Sequence, residues 1–230
     1  MDNELGIHQQ PPPGGGIHAN VLSPGGFVEY PIPSASSGAY TIANGPDGNL
    51  WFTEISSNNV ARVTPTGTIT EFPIPYRDPT YGIAKAYVIA RGPDGNNWFT
   101  EFYGDHISSI TPAGTVTEYT LPNGSPGRNT SADPLGVTSG PDGNAYFTEY
   151  AGNKIGRINP GTHAITEWRV PTGSPGISTS SLLENIVAGA DGDLWFCETA
   201  GNKIGHLNPT TGVITEFALP TASAGPGLHH

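Results

Sequence analysis

Residues 45–54 read GPDGNLWFTE, and the same ten-residue pattern returns three more times along the chain. The copies are GPDGNNWFTE at 92–101, GPDGNAYFTE at 140–149 and GADGDLWFCE at 189–198. A second motif alternates with the first, and its copies are ITEFPIP at 69–75, VTEYTLP at 116–122, ITEWRVP at 165–171 and ITEFALP at 214–220. The pattern recurs every 47 to 49 residues, which is the period of a β-propeller blade or a related repeat.

Each repeat is predicted to contain four short strands, A to D. A Pro-Asp-Gly turn such as 46–48 separates strand A from strand B, because Asp bonds to its own backbone and Gly accepts a positive φ. Strand B is the LWFTE-type segment, strand C is the NKIGRI-type segment seen at 153–158, and strand D is the ITEFP-type segment. Four strands per repeat predict an all-β chain that folds as a β-propeller with four full blades. A parallel β-helix is the alternative, and it would need shorter coils without hairpin turns.

The repeat also predicts the domain boundaries. VLSPGGFVEYPIP at 21–33 aligns without gaps on VTPTGTITEFPIP at 63–75, so an additional C–D half blade precedes the first full blade. The predicted segments are an arm or linker at 1–16, a single propeller domain at 17–221 and a tail at 222–230 whose last two histidines fit the remainder of a purification tag. Within the domain the half blade is 17–33, and the blades are about 34–75, 76–122, 123–171 and 172–221.

The half blade has no A–B pair to complete it, and an unpaired strand edge favours association. We therefore expect the hairpin either to join the fourth blade in a monomer of about five sectors or to pair with a second chain.

Composition and charge exclude several classes of protein. The formal net charge is −11, and only nine Lys and Arg residues are present, so nucleic acid is not an expected partner. No apolar run approaches the roughly 20 residues of a membrane span, and the single Cys197 excludes an internal disulfide framework. No signal-peptide core follows Met1, which predicts a cytoplasmic chain if Met1 is native and a secreted one if Met1 replaces a removed signal peptide.

Three of the D–A connections are five or six residues longer than the first one. They cover roughly 76–88, 123–135 and 172–184, and they are predicted to surround the propeller mouth, on the face where strand B ends. Loops on a rigid scaffold commonly carry binding sites, which predicts a small molecule or a partner ligand at the mouth. Neutral length variation in surface loops is the alternative.

The combination of GPDGNLWFTE, NKIGRI and ITEFPIP resembles the streptogramin (virginiamycin B) lyase family from residue 17 to residue 221. Related NHL and gluconolactonase-like propellers share weaker forms of these motifs. The resemblance implies a magnesium-dependent lyase that linearises a cyclic depsipeptide by elimination at its ester linkage. In that reaction a histidine base takes a proton α to a carbonyl while a cation stabilises the developing enolate.

Carried over residue by residue, the family's pattern places its metal-binding carboxylates at Asp133 and Glu149. Either Mg²⁺ or Ca²⁺ suits such oxygen ligands. The position of the catalytic base is Leu135, and the partner position one blade earlier is Tyr87. Because neither residue is histidine, the sequence predicts no catalytic residue at these positions.

Other recurring residues have structural explanations. The aromatic residue of each strand B is predicted to lie in the core between blades, and the D-strand glutamates are predicted to lie on a solvated outer edge. The strand-B residues are Trp51, Trp98, Tyr146 and Trp195; the strand-D residues are Glu29, Glu71, Glu118, Glu167 and Glu216.

Three functions remain open at this point. The first is a lyase-like propeller that binds a ligand, or has a structural role, and carries a divalent-cation site without the catalytic histidines. The second is an active magnesium-dependent lyase that uses another group, such as Tyr87 or Glu184. The third is a secreted propeller that binds a glycan or a partner, to which two N-glycosylation sequons at 123–125 and 129–131 would be relevant.

Overall fold

The structure is a computed structural model that describes residues 20–22, 27–122, 132–173 and 181–220. The chain divides into two compact units, Met1–Pro31 and Ile32–His230. In the first unit, β1 (Asn20–Leu22) and β2 (Phe27–Glu29) pair as an antiparallel hairpin. This hairpin lies within the segment predicted as a half blade.

The described part of the second unit contains four sheets, each made of four strands that are consecutive in the chain and antiparallel. This arrangement confirms the all-β prediction of four-stranded blades. The first two blades are β3 (Ala39–Asn44), β4 (Leu50–Glu54), β5 (Asn59–Val63), β6 (Ile69–Pro73), then β7 (Ala86–Arg91), β8 (Asn97–Glu101), β9 (His106–Ile110), β10 (Val116–Thr120). The last two are β11 (Pro134–Ser139), β12 (Ala145–Glu149), β13 (Lys154–Ile158), β14 (Ile165–Arg169), then β15 (Leu183–Ala188), β16 (Leu194–Glu198), β17 (Lys203–Leu207), β18 (Ile214–Ala218).

The hydrophobic core lies between successive blades. The inner strands pack in the order β3, β7, β11, β15. Trp51 of the first blade is fully buried against Ile89 and Phe99 of the second, and Trp98 and Tyr146 are buried in the same way against the third and fourth blades. Burial of these large side chains is the main stabilising contribution of each interface. The prediction that the strand-B aromatic residues lie in the core between blades is confirmed for these three and is wrong for Trp195, which is only half-buried.

The turn between strands A and B needs two glycines for two different physical reasons. Gly48 and its three counterparts have φ near +80°, in the left-handed region that favours glycine. Gly45 lies against the Trp51 ring so closely that a Cβ would overlap it. The indole Nε1 also donates to Asp47 Oδ1 at 3.0 Å, so the GPDG motif positions the core aromatic residue as well as forming the turn.

The prediction that the D-strand glutamates form a solvated edge is wrong for Glu71, Glu118, Glu167 and Glu216, which are half-buried, whereas Glu29 is exposed. Glu118 accepts the backbone N–H of Tyr76 at 2.6 Å, and Tyr76 follows the last strand of the preceding blade. Glu216 likewise accepts the backbone N–H and the hydroxyl of Thr172, at 2.8 and 2.7 Å. Glu118 and Glu216 therefore tie the second and fourth blades to the connection leaving the preceding blade, through charge-assisted hydrogen bonds, which are comparatively strong.

Candidate functional site at the propeller mouth

The ends of the B strands and the beginnings of the A strands meet on one face, which we call the mouth. Phe102 donates its backbone N–H to the carbonyl of Lys85 at 3.1 Å, and Tyr150 donates to the carbonyl of Asp133 at the same distance. The D–A connections and the B–C turns therefore share this face, as their strand order predicts. Residues 123–131 and 174–180 of the long connections lie outside the described residues.

A buried side chain in the B–C turn of each of the first three blades fixes the D–A connection that follows. Asn153 has φ 56°, donates to the carbonyls of Val170 and Thr172 at 3.0 and 2.8 Å, and accepts the N–H of Ser181 at 2.9 Å. Asn58 makes the corresponding bonds in the first blade. This anchor was not predicted from the sequence, although Asn or Asp recurs four residues after each strand-B glutamate, and Asn and Asp tolerate the left-handed conformation.

The positions equivalent to the family's histidines lie in irregular segments of the inner strands. The pairing of β7 with β8 shifts between Ala86 and Ile89, and that of β11 with β12 between Pro134 and Val137. Tyr87 and Leu135 lie within these bulges. Their carbonyls each accept a bond at 2.8 Å from a threonine hydroxyl of the preceding blade, which holds the backbone of both positions in place.

Asp133 and Glu149 lie at neighbouring backbone positions on the third blade. Pro134, next to Asp133, pairs directly with Glu149 across β11 and β12, and both carboxylate side chains are buried. Neither carboxylate oxygen of Glu149 accepts a hydrogen bond within the described part of the chain. Lys154 Nζ lies 3.7 Å from Glu149 Oε2, while burial and the nearby Glu167 raise the pKa of Glu149 to about 8.

Only the third of the four blades carries two carboxylates at this place. Asp133 has φ 48°, and its counterparts Gly38, Lys85 and Leu182 have φ values of 66°, 60° and 51°. The conformation therefore belongs to the repeat, whereas the acidic side chain belongs to this blade alone.

The remaining strand-B glutamates, Glu54, Glu101 and Glu198, are also buried. Ser108 Oγ donates to Glu101 Oε1 at 2.5 Å, and burial raises the pKa of Glu101 to about 8. Burial raises the pKa of Glu198 to about 7. Withdrawal from water disfavours the charged form of each carboxyl group, so these residues are parts of the repeat that favour the neutral acid.

A contiguous group of aromatic rings lies beside the carboxylate pair, and the sequence analysis did not identify it. We call it the mouth aromatic cluster; its members are Tyr40, Tyr81, Tyr87, Phe102, Tyr103 and Tyr150. Tyr87 contacts both Tyr40 and Phe102 with ring centroids 5.2 Å apart, Phe102 contacts Tyr103 at 5.8 Å and Tyr150 at 5.9 Å, and Tyr81 stacks on Tyr103 at 4.5 Å. The signal available in the sequence was that the second and third blades have aromatic residues directly after strand B, where the fourth has Thr199 and Ala200.

A cation lies within the aromatic cluster. Lys85 Nζ donates to the Tyr103 hydroxyl at 3.1 Å and lies 5.3 and 4.8 Å from the ring centroids of Tyr87 and Tyr103. Such a cation over aromatic faces is held by the ring quadrupoles. The mouth therefore combines a lysine and aromatic rings on the second blade with two carboxylates on the third.

The three histidines in the described ranges lie in strand C or in a C–D turn. His106 and His206 are in β9 and β17; His206 Nδ1 lies 3.0 Å from Asp193 Oδ2. His163 lies between β13 and β14 and packs against Tyr119. The described residues contain no cluster of three or more His, Cys, Asp or Glu side chains that could hold a metal ion. They also contain no helix that is long and apolar enough to cross a membrane.

Comparison with known proteins identifies the family. The family model described as the virginiamycin B lyase family matches residues 19–227. The chain belongs to this family. Among curated relatives, the virginiamycin B lyase of Bordetella parapertussis is 36% identical over 52 residues, which are 23% of this chain and 17% of that protein.

Solved structures of virginiamycin B lyases have the same fold. The Staphylococcus aureus virginiamycin B lyase superimposes with a TM-score of 0.75 at 37% identity, over 87% of this chain and 62% of that one. A catalytically inactive histidine-to-alanine variant of the S. aureus enzyme with quinupristin gives a TM-score of 0.73 at 36% identity, over 84% and 60%. The chain thus spans less than two thirds of these lyases.

Proposed function

We propose that this chain is a ligand-binding member of the virginiamycin B lyase family that binds a cyclic depsipeptide at the mouth without opening its ring. The proposal rests on the two base-equivalent positions, 135 and 87, because neither carries a histidine. Leu135 has no group that can accept a proton, and the Tyr87 ring packs against Tyr40 and Phe102 as part of the mouth aromatic cluster. Both positions thus contribute apolar surface rather than a base.

The chemistry of the mouth supports a peptide ligand of this kind. Aromatic faces bind apolar and aromatic side chains through large contact areas and preferred ring geometries. The Lys85 ammonium can donate to a ligand carbonyl, because it has three N–H donors and the described contacts use one for the Tyr103 hydroxyl. A relative from S. aureus was solved with quinupristin, which makes a type B streptogramin the first ligand to test.

The cation that the family resemblance implies fits the pair Asp133 and Glu149. The two oxygens of Glu149 are buried without a hydrogen-bond donor among the described residues, and Mg²⁺ commonly binds through one or two carboxylates while it keeps several waters. When bound, such a cation supplies positive charge that polarises a ligand carbonyl. Asp133 and Glu149 would hold it. Asp105 Oδ1 accepts the backbone N–H of Asp133 at 3.0 Å, and the carbonyl of Glu149 accepts the backbone N–H of Asn153 at 3.0 Å, so both backbone segments are held in place.

The first experiment incubates the chain with a type B streptogramin and Mg²⁺. We expect saturable binding by calorimetry and no linear product by liquid chromatography with fragment-ion spectra; elimination leaves the mass unchanged, so mass alone is insufficient. Tyr40→Ala is expected to weaken binding by roughly two- to tenfold, since an aromatic contact contributes about 0.5–1.5 kcal/mol.

Val213→Ala is the matched control, because Val213 is as exposed as Tyr40 but precedes β18, at the end of the blade opposite the mouth. Linear product from the wild-type chain would contradict the proposal and favour the active lyase in which Tyr87 or Glu184 takes the proton. If Tyr40→Ala and the wild type bound the streptogramin with equal affinity, Tyr40 and its aromatic cluster would not be part of the binding site.

The second experiment measures cation binding by calorimetry with Mg²⁺ and with Ca²⁺. Glu149→Gln is expected to weaken binding at least tenfold, because it replaces a ligand oxygen by an amide that carries no charge. Glu198→Gln is the matched control, since it changes the same repeat position in the fourth blade, where Leu182 stands in place of Asp133. Equal binding by Glu149→Gln and the wild type would exclude this cation site.

A further inference from the structure

Lys85 differs from the other two lysines of the chain because no carboxylate pairs with it. Lys154 Nζ lies 2.6 Å from Glu167 Oε2, and Lys203 Nζ lies 2.9 Å from Glu216 Oε2. Lys85 forms no ion pair with a carboxylate among the described residues. In a chain with 20 Asp and Glu residues and only 9 Lys and Arg residues, acidic partners are abundant, so an unpaired lysine at the mouth needs an explanation.

The position of Lys85 within the fold limits where a partner could come from. Lys85 lies on the second blade, between the first and the third. The parts of the long mouth connections outside the described residues, 123–131 and 174–180, contain no Asp or Glu. These connections therefore have no carboxylate to offer, and an anion for Lys85 has to come with a ligand.

Tyrosine side chains hold the Lys85 ammonium instead of a carboxylate. Lys85 is half-buried, and its Nζ donates to the Tyr103 hydroxyl at 3.1 Å and lies 5.3 Å from the ring centroid of Tyr87. Burial by itself lowers the pKa of Lys85, but the side chains of Tyr103 and Tyr87 raise it above its ordinary value, so the group is a cation at neutral pH. A partly buried cation without a counter-ion carries a desolvation cost, which a bound anion offsets.

The lysine is specific to one blade and lies beside the aromatic surface of the mouth. Lys85, with φ 60°, occupies the repeat position that Asp133, with φ 48°, occupies in the third blade, so the same backbone site carries opposite charges in adjacent blades. Phe102 contacts both Tyr87 and Tyr150, and Tyr150 donates its backbone N–H to the carbonyl of Asp133. The rings therefore connect the cationic position to the acidic one, and a peptide lying across them reaches Lys85.

We propose that Lys85 is a carboxylate subsite, and that the mouth binds the ring-opened form of a depsipeptide, a linear peptide acid, more tightly than the cyclic ester. This inference rests on the proposed function, because it takes a depsipeptide as the ligand of the mouth. An ester or amide carbonyl can accept an N–H of Lys85 but leaves the positive charge unpaired, whereas a carboxylate accepts the bond and neutralises the charge.

The class of reaction that supplies this ligand follows from the chemistry of the ester. In an elimination, a base takes the proton α to a carbonyl, a C=C bond forms, the neighbouring C–O bond breaks, and the acyl part leaves as a carboxylate. In a hydrolysis, water adds to the acyl carbon, and the products are a carboxylate and a hydroxyl group. Either ring-opening reaction, carried out by another enzyme, creates the anion that Lys85 would bind.

The test measures the affinity of three probes by calorimetry. They are a cyclic type B streptogramin, the linear acid made from it by alkaline opening of the ester, and the same linear peptide with its carboxylate converted to a carboxamide. The wild type is expected to bind the acid roughly 10- to 100-fold more tightly than the carboxamide, the usual effect of a hydrogen bond to a charged group, and more tightly than the cyclic form. The preference for the acid should shrink as salt is added, because salt screens accessible charge pairs.

Three variants assign the preference to one side chain. Lys85→Met keeps the length of the side chain without its charge and is expected to bind the acid and the carboxamide equally, whereas Lys85→Arg is expected to retain a preference for the acid. Arg91→Met is the matched control, because it also removes one positive charge from the second blade, but at the far end of β7, on the order of 20 Å from Lys85. It is expected to keep the full preference, and circular dichroism checks that each variant folds.

Equal affinities of the wild type for the acid and the carboxamide would overturn the proposal without recourse to any variant, as would a full preference that survives in Lys85→Met. The cyclic probe separates this result from the proposed function. Binding of the cyclic form without a preference for the acid would make only the carboxylate subsite wrong. Binding of the acid through Lys85 without binding of the cyclic form would support the subsite and contradict the cyclic ligand, and a chain that binds none of the three probes would contradict both.

Discussion

Histidine at both base-equivalent positions is expected to give this chain a Mg²⁺-dependent ring-opening activity. The double variant is Leu135→His with Tyr87→His. The backbones of both positions are already held by hydroxyl bonds from the preceding blade, and the Leu135 side chain is half-buried. A correctly positioned general base typically contributes about 10²- to 10⁴-fold to a rate, so the linear product of a type B streptogramin should rise by a similar factor above the uncatalysed background.

The matched control for this gain of function is Leu135→Gln with Tyr87→Gln. It places polar side chains at the same two positions but introduces no group that takes a proton near neutral pH, and it is expected to remain inactive. The double variant Leu135→His, Tyr87→His could bind the depsipeptide and Mg²⁺ but yield no linear product. That result would contradict the idea that adding the base is sufficient to make this chain an active lyase. Activity that is unchanged after Mg²⁺ removal would contradict the role assigned to Asp133 and Glu149.

Replacing Trp98 by alanine is expected to destabilise the chain by about 3–5 kcal/mol, the usual cost of removing a large buried aromatic residue. For a domain of this size, that loss corresponds to a fall in melting temperature of roughly 6–20 °C. Trp98 is 1% exposed and packs between the second and third blades. Urea unfolding and thermal melting of the variant measure the loss.

Trp195→Ala provides a closely matched control. Trp195 has the same repeat position, the same bond from Nε1 to the turn aspartate and the same ring stacking on strand D, but it is only half-buried. We expect less than half of the loss seen for Trp98→Ala. Equal losses would show that the interface between blades contributes little to the effect of this substitution.

The repeat made most of the fold predictable. The alternation of GPDG turns with LWFTE-type strands depends on local preferences, namely glycine at positive φ, β-propensity and the alternation of inward and outward side chains. These preferences act over a few residues, so Trp51 and Trp98 could be placed in the core and the four strands of each blade could be located. The carry-over of the family pattern also placed Asp133 beside Glu149, which the pairing of β11 with β12 brings together.

Contacts between blades were not predictable in the same way. Glu118 looks like a surface residue within its own motif, and only the packing of two blades brings it to the Tyr76 N–H, 42 residues away in the chain. The mouth aromatic cluster likewise combines Tyr40, Tyr87 and Phe102 from separate strands and turns of two blades. The alternating pattern of one strand says which of its faces is buried, but not which residue of another repeat lies opposite.

The sequence by itself determined the type of blade, the number of full blades and the absence of histidine at positions 87 and 135, because each of these follows from local patterns in one repeat or from its comparison with the next. Only the tertiary structure decided that the D-strand glutamates link blades, that aromatic rings and Lys85 meet at the mouth, and that Ile42 and Val187 are exposed. Burial and ring contacts depend on which repeats lie side by side in space. Repeats with nearly the same sequence therefore differ in exposure, as Ile42 at 61% and its counterpart Ile89 at 4% do.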